Sequence, residues 1–329
     1  MRNQKILMFL LISIFFVAIF GSAIAAQEKP AVIFSGSTIG GVTNLQASGL
    51  AAIGKQYCEI EPTVVVNPTL AQIDVMADGD ADICTSYGYE AWFAYYGEDR
   101  WEGKPYSGLR SMMSRPNATV QFAVPANSDI QNVYDFEGKR VNLGRKGFGS
   151  ELQGRTILEA LGINYTSINL GHSDAVAAIA AGNCDVYLNS GAFPHPSFIE
   201  MSETMPGGIR IIGFSEEEVE KILEASPFFT TTKMGPVYKG MPDGEITVPQ
   251  VESMILCRDV VPEGIMYCLV KNFWEHQDFA AMQWAGFNSL TLDEVPTIKG
   301  SAPWHIGAYK YYVEQGLEIP EHMVPPEAK

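Results

Sequence analysis

One unit of this chain occurs twice, and that recurrence restricts the fold more than any other feature. In the first copy Ile33-Phe34-Ser35-Gly36 runs into Ser37-Thr38-Ile39-Gly40-Gly41, and further on Gly79-Asp80-Ala81-Asp82 leads into Ile83-Cys84. The second copy has Val141-Asn142-Leu143-Gly144, then Gly147-Phe148-Gly149-Ser150, then Gly182-Asn183-Cys184-Asp185 before Val186-Tyr187-Leu188. A strand, a glycine-rich loop and a helix start, closed by a turn into another strand, predict two similar α/β lobes facing one cleft. Helix starts carry backbone N–H groups without intrahelical partners and a partial positive charge. Two such starts can converge on one small anion.

Residues 1–25 read as an export signal. Arg2 and Lys5 precede an apolar run from Ile6 to Phe20, and Ala23-Ile24-Ala25 supplies a small-x-small cleavage pattern. A membrane anchor is the rival reading, since the run approaches the roughly 20 residues a spanning helix needs, but the Gly21-Ser22 break favours cleavage near Ala25. No cysteine lies near that point to take a lipid, so a soluble periplasmic product is expected. The remaining length exceeds what one core usually serves, and the 47% apolar content can fill two. Formal charge is −16, and −18 once Arg2 and Lys5 leave with a segment that holds no acid, which argues against nucleic acid or anionic lipid as a partner.

The five cysteines (Cys58, Cys84, Cys184, Cys257, Cys268) form no Cys-x-x-Cys and no zinc spacing. Cys84 and Cys184 read as small buried residues. Cys257 and Cys268 are the nearest pair in sequence, but spacing leaves the connectivity open.

Along the chain, Val42, Leu45, Ala52 and Ile53 predict a helix over 41–54. Thr63-Val64-Val65-Val66 is a β-branched strand ended by Asn67-Pro68, after which Thr69 caps a helix with Leu70, Ile73, Val75 and Met76. A strand at 82–85 and an aromatic helix over 90–96 follow. Ser150-x-x-Gln153 has the form of a capping box, Ser173 opens a further helix, and helices are expected around 264–274 and 308–315. The chain crosses into the second lobe at 121–124 and returns at 251–256, which places lobe 1 at 26–120 and 246–329 and lobe 2 at 121–245. Two crossings make a hinge.

The order of these motifs resembles the TAXI-type solute-binding receptors of TRAP transporters. The likeness rests on Gly40-Gly41-Val42, on Gly79-Asp80-Ala81-Asp82, on Gly147-Phe148-Gly149-Ser150-Glu151, on Ala192-Phe193-Pro194-His195-Pro196, and on His305-x-Gly307-Ala308 followed by Tyr311-Tyr312. It implies a type II periplasmic-binding-protein fold in which each lobe is a mixed sheet flanked by helices. It also implies a receptor, without chemistry of its own, that hands a small carboxylate to integral-membrane TRAP permease subunits. Two departures fall in the implied pocket. Val66-Asn67-Pro68-Thr69 stands where the family has Thr-Gly-Gly-Ser, and Tyr87 and Tyr89 stand where it has Gln and Asp. Loss of that acid disfavours amino acids, and Trp92 and Phe148 suggest an apolar or aromatic part beside the carboxylate.

Candidate ligand-binding residues are Thr38, Gly40, Gly41, Thr43, Thr69, Tyr87, Tyr89, Arg145, Phe148, Gly149, Ser150, Asn189 and Phe193. Each has a plainer reading. Ser150 could cap its helix and do no more, although the neighbouring glycines leave N–H groups open to a ligand. Thr38 and Thr43 could be ordinary turn and helix residues. Arg145 could form a fork with a carboxylate, or be a solvated loop charge beside Lys146. Tyr87 and Tyr89 could pack a core. Asn189 and Phe193 follow a strand at the end where open α/β sheets bind ligands. His305 reads as a structural contact, and Met112, Met113 and Met282 as core filler.

An enzyme would need a nucleophile, base or metal set. There is no Gly-x-Ser-x-Gly, no His-Glu-x-x-His and no phosphate loop. No cofactor and no metal are expected, and a monomer is. A binding protein that reports to a membrane sensor instead of a permease would use the same cleft.

Overall fold

Each copy of the repeated unit folds as three parallel strands joined through helices. In the computed structural model the described residues are 28–329, apart from positions 38, 40, 192, 227 and 299. The expected signal segment therefore lies outside them. The first unit comprises β1 (Ala31–Gly36), α1 (Val42–Tyr57), β2 (Glu61–Val66), α2 (Gln72–Ala77) and β3 (Ile83–Tyr87), with β2 and β3 both parallel to β1. The second comprises β5 (Arg140–Asn142), α4 (Gly149–Ala160), β6 (Thr166–Ile168), α5 (His172–Ala180) and β7 (Val186–Gly191), with β6 and β7 both parallel to β5. Between them lies α3 (Gly88–Tyr96).

The Gly-x-x-Asp turns serve the same purpose in both units. The Ile33 N–H donates to Asp82 Oδ2 at 2.9 Å, and the Asp82 N–H returns a bond to the Ile33 carbonyl at 2.9 Å. In the second unit the Arg140 N–H donates to Asp185 Oδ2 at 2.8 Å, and the Asp185 N–H to the Arg140 carbonyl at 2.9 Å. Each carboxylate also meets a guanidinium, Arg258 for Asp82 at 3.3 Å and Arg140 for Asp185 at 2.7 Å. The repeated aspartate thus satisfies backbone donors at the start of its sheet, as buried amides require.

Two long strands join the units. These are β4 (Leu109–Pro125) and β10 (Ile246–Arg258), and the sheet runs β2-β1-β3-β10-β4-β7-β5-β6. β8 (Ile209–Ile211) adds to β4, and β9 (Phe229–Met234) adds to β10. Up to Arg115, β4 pairs with the Ser253–Arg258 end of β10, and from Thr119 it also pairs with β7. Pro116 and exposed Asn117 interrupt it between those stretches, opposite a register shift between Val251 and Ser253. Proline removes a ladder donor, and bulges bend strands.

The buried residues divide accordingly. One cluster holds Phe34, Leu50, Ile53, Met112, Met254 and Trp304, from the first unit and the C-terminal region. Two others lie around the second unit, one with Val120, Phe122 and Leu188, the other with Ala123, Tyr187 and Phe198. Alternation along β4 and β7 sends neighbouring residues to these opposite faces. Tyr87 and Tyr89 lie in the first unit's strand and helix but pack into a second-unit cluster. The first half is completed by α8 (Glu263–Glu275), α9 (Gln277–Ala281) and α10 (Ile306–Glu314), and the second by α6 (Pro196–Thr204) and α7 (Glu216–Ala225).

The disulfide pairing that spacing left open is Cys58 with Cys268, at a Cα separation of 5.7 Å. Cys257 sits fully buried within β10, whereas α8 presents Cys268 to the end of α1. The Ser150/Gln153 capping box does not form, because the cap falls two residues earlier, on Phe148, and the helix starts at Gly149. Thr69 is not a cap but the first residue of a 3-10 turn, Thr69–Ala71, that follows Pro68. Met282 is 77% exposed, while Met112 and Met113 are fully buried. His305 caps α10, accepting from the Gly307 N–H at 3.1 Å while its Nε2 meets the Val261 carbonyl at 2.9 Å.

Candidate functional site

Both predicted helix starts lack side-chain caps. Gly41 precedes α1 and Phe148 precedes α4, and neither helix start receives a side-chain hydrogen bond at its cap. Thr43 instead accepts from the Ser37 N–H at 3.0 Å and bonds the Ser37 hydroxyl, which ties the loop after β1 to the first turn of α1. Gly36 allows this approach, since a Cβ there would fall 2.5 Å from Asn44 Cα. Thr38 and Gly40 lie outside the described residues. Thr69 is buried beside Gln72, whose Nε2 holds the Gly36 carbonyl at 2.9 Å and the Asn67 carbonyl at 2.8 Å.

The two halves meet at Tyr87. Gly149, the first residue of α4, packs on its ring so closely that a Cβ would lie 2.3 Å from Cε2 and 2.5 Å from the hydroxyl. Tyr89 stacks on Tyr87 with ring centroids 5.5 Å apart and planes 6° from parallel. Tyr89 also meets Phe93 and Phe228. Burial pushes both phenols above their ordinary range, so both are neutral donors at pH 7. Gln153 of α4 faces the two hydroxyls and is 2% exposed, yet neither atom of its amide makes a well-formed hydrogen bond. Buried Tyr89 Oη and Ser190 Oγ likewise make no well-formed hydrogen bond. A buried group left wholly unsatisfied costs about 1–3 kcal/mol.

Sequence reasoning missed the charged member of this region. Ser253 of β10 is flanked in register by Tyr87 on one side and Arg115 on the other. Arg115 is 6% exposed, and its Cζ lies 5.8 Å from the Tyr87 ring centroid. Its hydrogen bond from Nη1 to Gln46 Oε1 is long, 3.4 Å, and Nε has no partner. Burial pulls the guanidinium down from its ordinary value, with Tyr87 and Cys84 opposing that shift. An Arg within a strand rich in buried residues was the available signal, but Arg110 in the same strand carries it equally. Arg110 is neutralised by Glu327 at 2.6 Å.

Other predicted residues lie elsewhere. Arg145 is exposed and rests against Gly171, where a Cβ would fall 2.8 Å from its Nη2. Phe148 and Ser150 are partly exposed at the start of α4, and Ser150 Oγ lies over Gly144. Asn189 points to the face of β7 opposite Ser190. There its Nδ2 reaches the His195 ring at 2.9 Å, in a network where His172 Nδ1 meets Tyr187 Oη at 2.6 Å and His195 Nδ1 meets Ser197 Oγ at 2.9 Å. Tyr238 donates to Gln121 Oε1 at 2.8 Å and accepts from the His195 N–H at 2.8 Å. Phe193 packs at the margin of this cluster, before a cis Pro194. Burial first, and His172 second, pull His195 down to about 3, so it is a poor base at neutral pH and the Ser197 contact does not make a nucleophile. Among the described residues no group of three or more His, Cys, Asp or Glu side chains could hold a metal.

Residues 40–316 match the NMT1-like family, and the chain belongs to it. In chain course it is similar to the periplasmic aliphatic sulphonate binding protein SsuA from Escherichia coli, at 15% identity over 88% of this chain and 84% of that one, with a TM-score of 0.45. It is also similar to XAC2383 from Xanthomonas citri bound to chloride ion, at 12% identity over 78% and 88%, with a TM-score of 0.49. A periplasmic binding protein of an ABC transporter from Brucella ovis with glutathione bound gives 11% identity over 80% and 71%, with a TM-score of 0.44. These likenesses say nothing about a ligand for this chain.

Proposed function

We propose that the chain is an exported solute-binding receptor. In this reading residues 1–25 are removed, 26–120 and 246–329 form one lobe and 121–245 the other, and the lobes close on a small organic anion for delivery to a membrane permease. The observation that carries it is Gln153. It is buried on the second half, facing the hydroxyls of two tyrosines of the first half, with neither amide atom in a well-formed hydrogen bond. A protein selected for stability alone pairs a buried primary amide fully, whereas a receptor can hold such a group for a solute that bonds it on closure. The motif resemblance favours a TRAP permease as the partner. Among the described residues no helix is long and apolar enough to cross a membrane.

The test is a thermal-shift and calorimetric screen of the protein from Ala26 against organic acids, amino acids and neutral solutes. A saturable shift is expected, because a ligand that binds only the folded state raises the melting temperature. Gln153→Ala should weaken that ligand at least about tenfold, corresponding to loss of one or two buried hydrogen bonds. Conversion of any ligand into product would overturn the receptor reading.

A further inference from the structure

A buried cation needs an anion, and Arg115 has none within its own fold. Among the described residues no carboxylate pairs with it, although the strand that carries it also carries Arg110, which is ion-paired to Glu327. The carboxylates closest to Tyr87 in sequence and register are turned elsewhere. Glu90 binds Arg100 at 3.1 Å, and Glu252 accepts from the Gly300 N–H at 3.3 Å, beside Gly88. The acidic groups that sense Arg115 are Tyr87 and Cys84, both protonated at neutral pH. The guanidinium is therefore charged, desolvated and uncompensated, an arrangement that costs several kcal/mol unless a counter-ion arrives.

Its surroundings specify that counter-ion. Gln46 from α1 presents an unpartnered Nε2 donor, Ser253 an unpartnered hydroxyl, and Gln153, facing the Tyr87 hydroxyl, an amide with no well-formed hydrogen bond. Donors gathered around an arginine fork suit a carboxylate, whose two oxygens accept in one plane. Among the described residues named here, the carboxylates are engaged elsewhere and Arg115 is the one buried cation without an ion pair.

We propose that Arg115 is the anion anchor of the cleft, and that the solute is a monocarboxylate without an ammonium group, held by Arg115, Gln46 and Ser253 at its acid end and by Gln153 at a neutral hydrogen-bonding group. This rests on the receptor reading and makes it narrower. Dicarboxylates and amino acids are excluded from tight binding on charge grounds, because the second charge would be buried without a partner.

The experiment compares wild type, Arg115→Gln and Arg115→Lys from Ala26 by thermal shift and calorimetry. The probes are acetate, lactate, pyruvate and 4-hydroxybenzoate, with acetamide, succinate and alanine as neutral, doubly charged and zwitterionic controls at matched ionic strength. Wild type should be stabilised by one or more monocarboxylates and not by their controls. Arg115→Gln should weaken that binding by at least about 30-fold, the loss expected when one partner of a buried charge pair is removed. Its unliganded melting temperature should be no lower than that of wild type, since an uncompensated charge has been removed. Arg115→Lys should fall between the two, because a point charge cannot form the fork, and it decides the question if Arg115→Gln fails to fold. Equal affinity in wild type and the Lys variant, or undiminished binding in the Gln variant, would overturn the anchor while leaving the receptor standing. Binding of alanine, succinate or acetamide in preference to every monocarboxylate would overturn the solute class alone. A lower unliganded melting temperature with unchanged affinity would make Arg115 a structural residue. Binding of no probe by wild type, with a solute found in the wider screen above, would overturn the monocarboxylate assignment while leaving the receptor standing.

Discussion

Gly149 shows how a single missing side chain joins the two halves. The Tyr87 ring fills the space a Cβ would take at 2.3 Å, so Gly149→Ala must displace either the ring or the start of α4. The expected result is a loss of about 1–3 kcal/mol of stability from overpacking, read by denaturant unfolding, together with weaker solute binding because Gln153 shifts with the helix. Unchanged affinity would separate α4 from the site. His195 acts through a proton. Its folded value is about 3, against about 6.5 in an unfolded chain. Between those values the unfolded state binds a proton the folded state refuses, so stability falls as pH drops from about 6.5 toward 3, by at most about 1.4 kcal/mol per unit. His195→Asn keeps an acceptor for the Ser197 N–H and should flatten part of that slope. His172, pulled down by burial and then by Arg145, and His305, pulled down by burial first, add slopes of the same sign.

At the scale of elements, pattern and tertiary context disagree in instructive places. Apolar spacing located α1, α4 and α8 to within a few residues, because a buried face must repeat with the helical period. Caps were harder. Ser150 and Gln153 have capping-box spacing, yet Gln153 is drawn inward to the Tyr87/Tyr89 pair and the cap falls to Phe148. Capping boxes do form at Ser215/Glu218 and Asn132/Asp135. The Cys58–Cys268 bond links the end of α1 to α8 across a separation of 210 residues. Replacing both cysteines with serine should cost about 2–4 kcal/mol, with loop entropy setting a ceiling near 5. A melting curve of the double variant checks this, and an unaltered midpoint would mean the two helices hold together by packing alone.

For the whole molecule, the decisive elements are β4 and β10, the strands shared by both halves. Their ladder is interrupted at Pro116-Asn117 and at the shift between Val251 and Ser253, which makes this the place for a bend. Solute addition should lower the radius of gyration in solution scattering and slow amide exchange around residues 115–119 and 250–254. A bound solute with neither change would argue for a rigid cleft. By itself the sequence determined the repeated α/β unit, the strands and helices within it, and the recurring turns that hold Asp82 and Asp185, because these depend on local spacing. It also indicated Tyr87, Tyr89 and Gly149, through motif order. Only the tertiary structure decided that Cys58 meets Cys268, that Asn189 belongs to a histidine cluster on the other face of the sheet, and that Arg115 rather than Arg145 is the buried cation. Burial and charge compensation are set by residues distant in the chain: Arg110 and Arg115 are alike in sequence, and the C-terminal Glu327 reaches one and not the other.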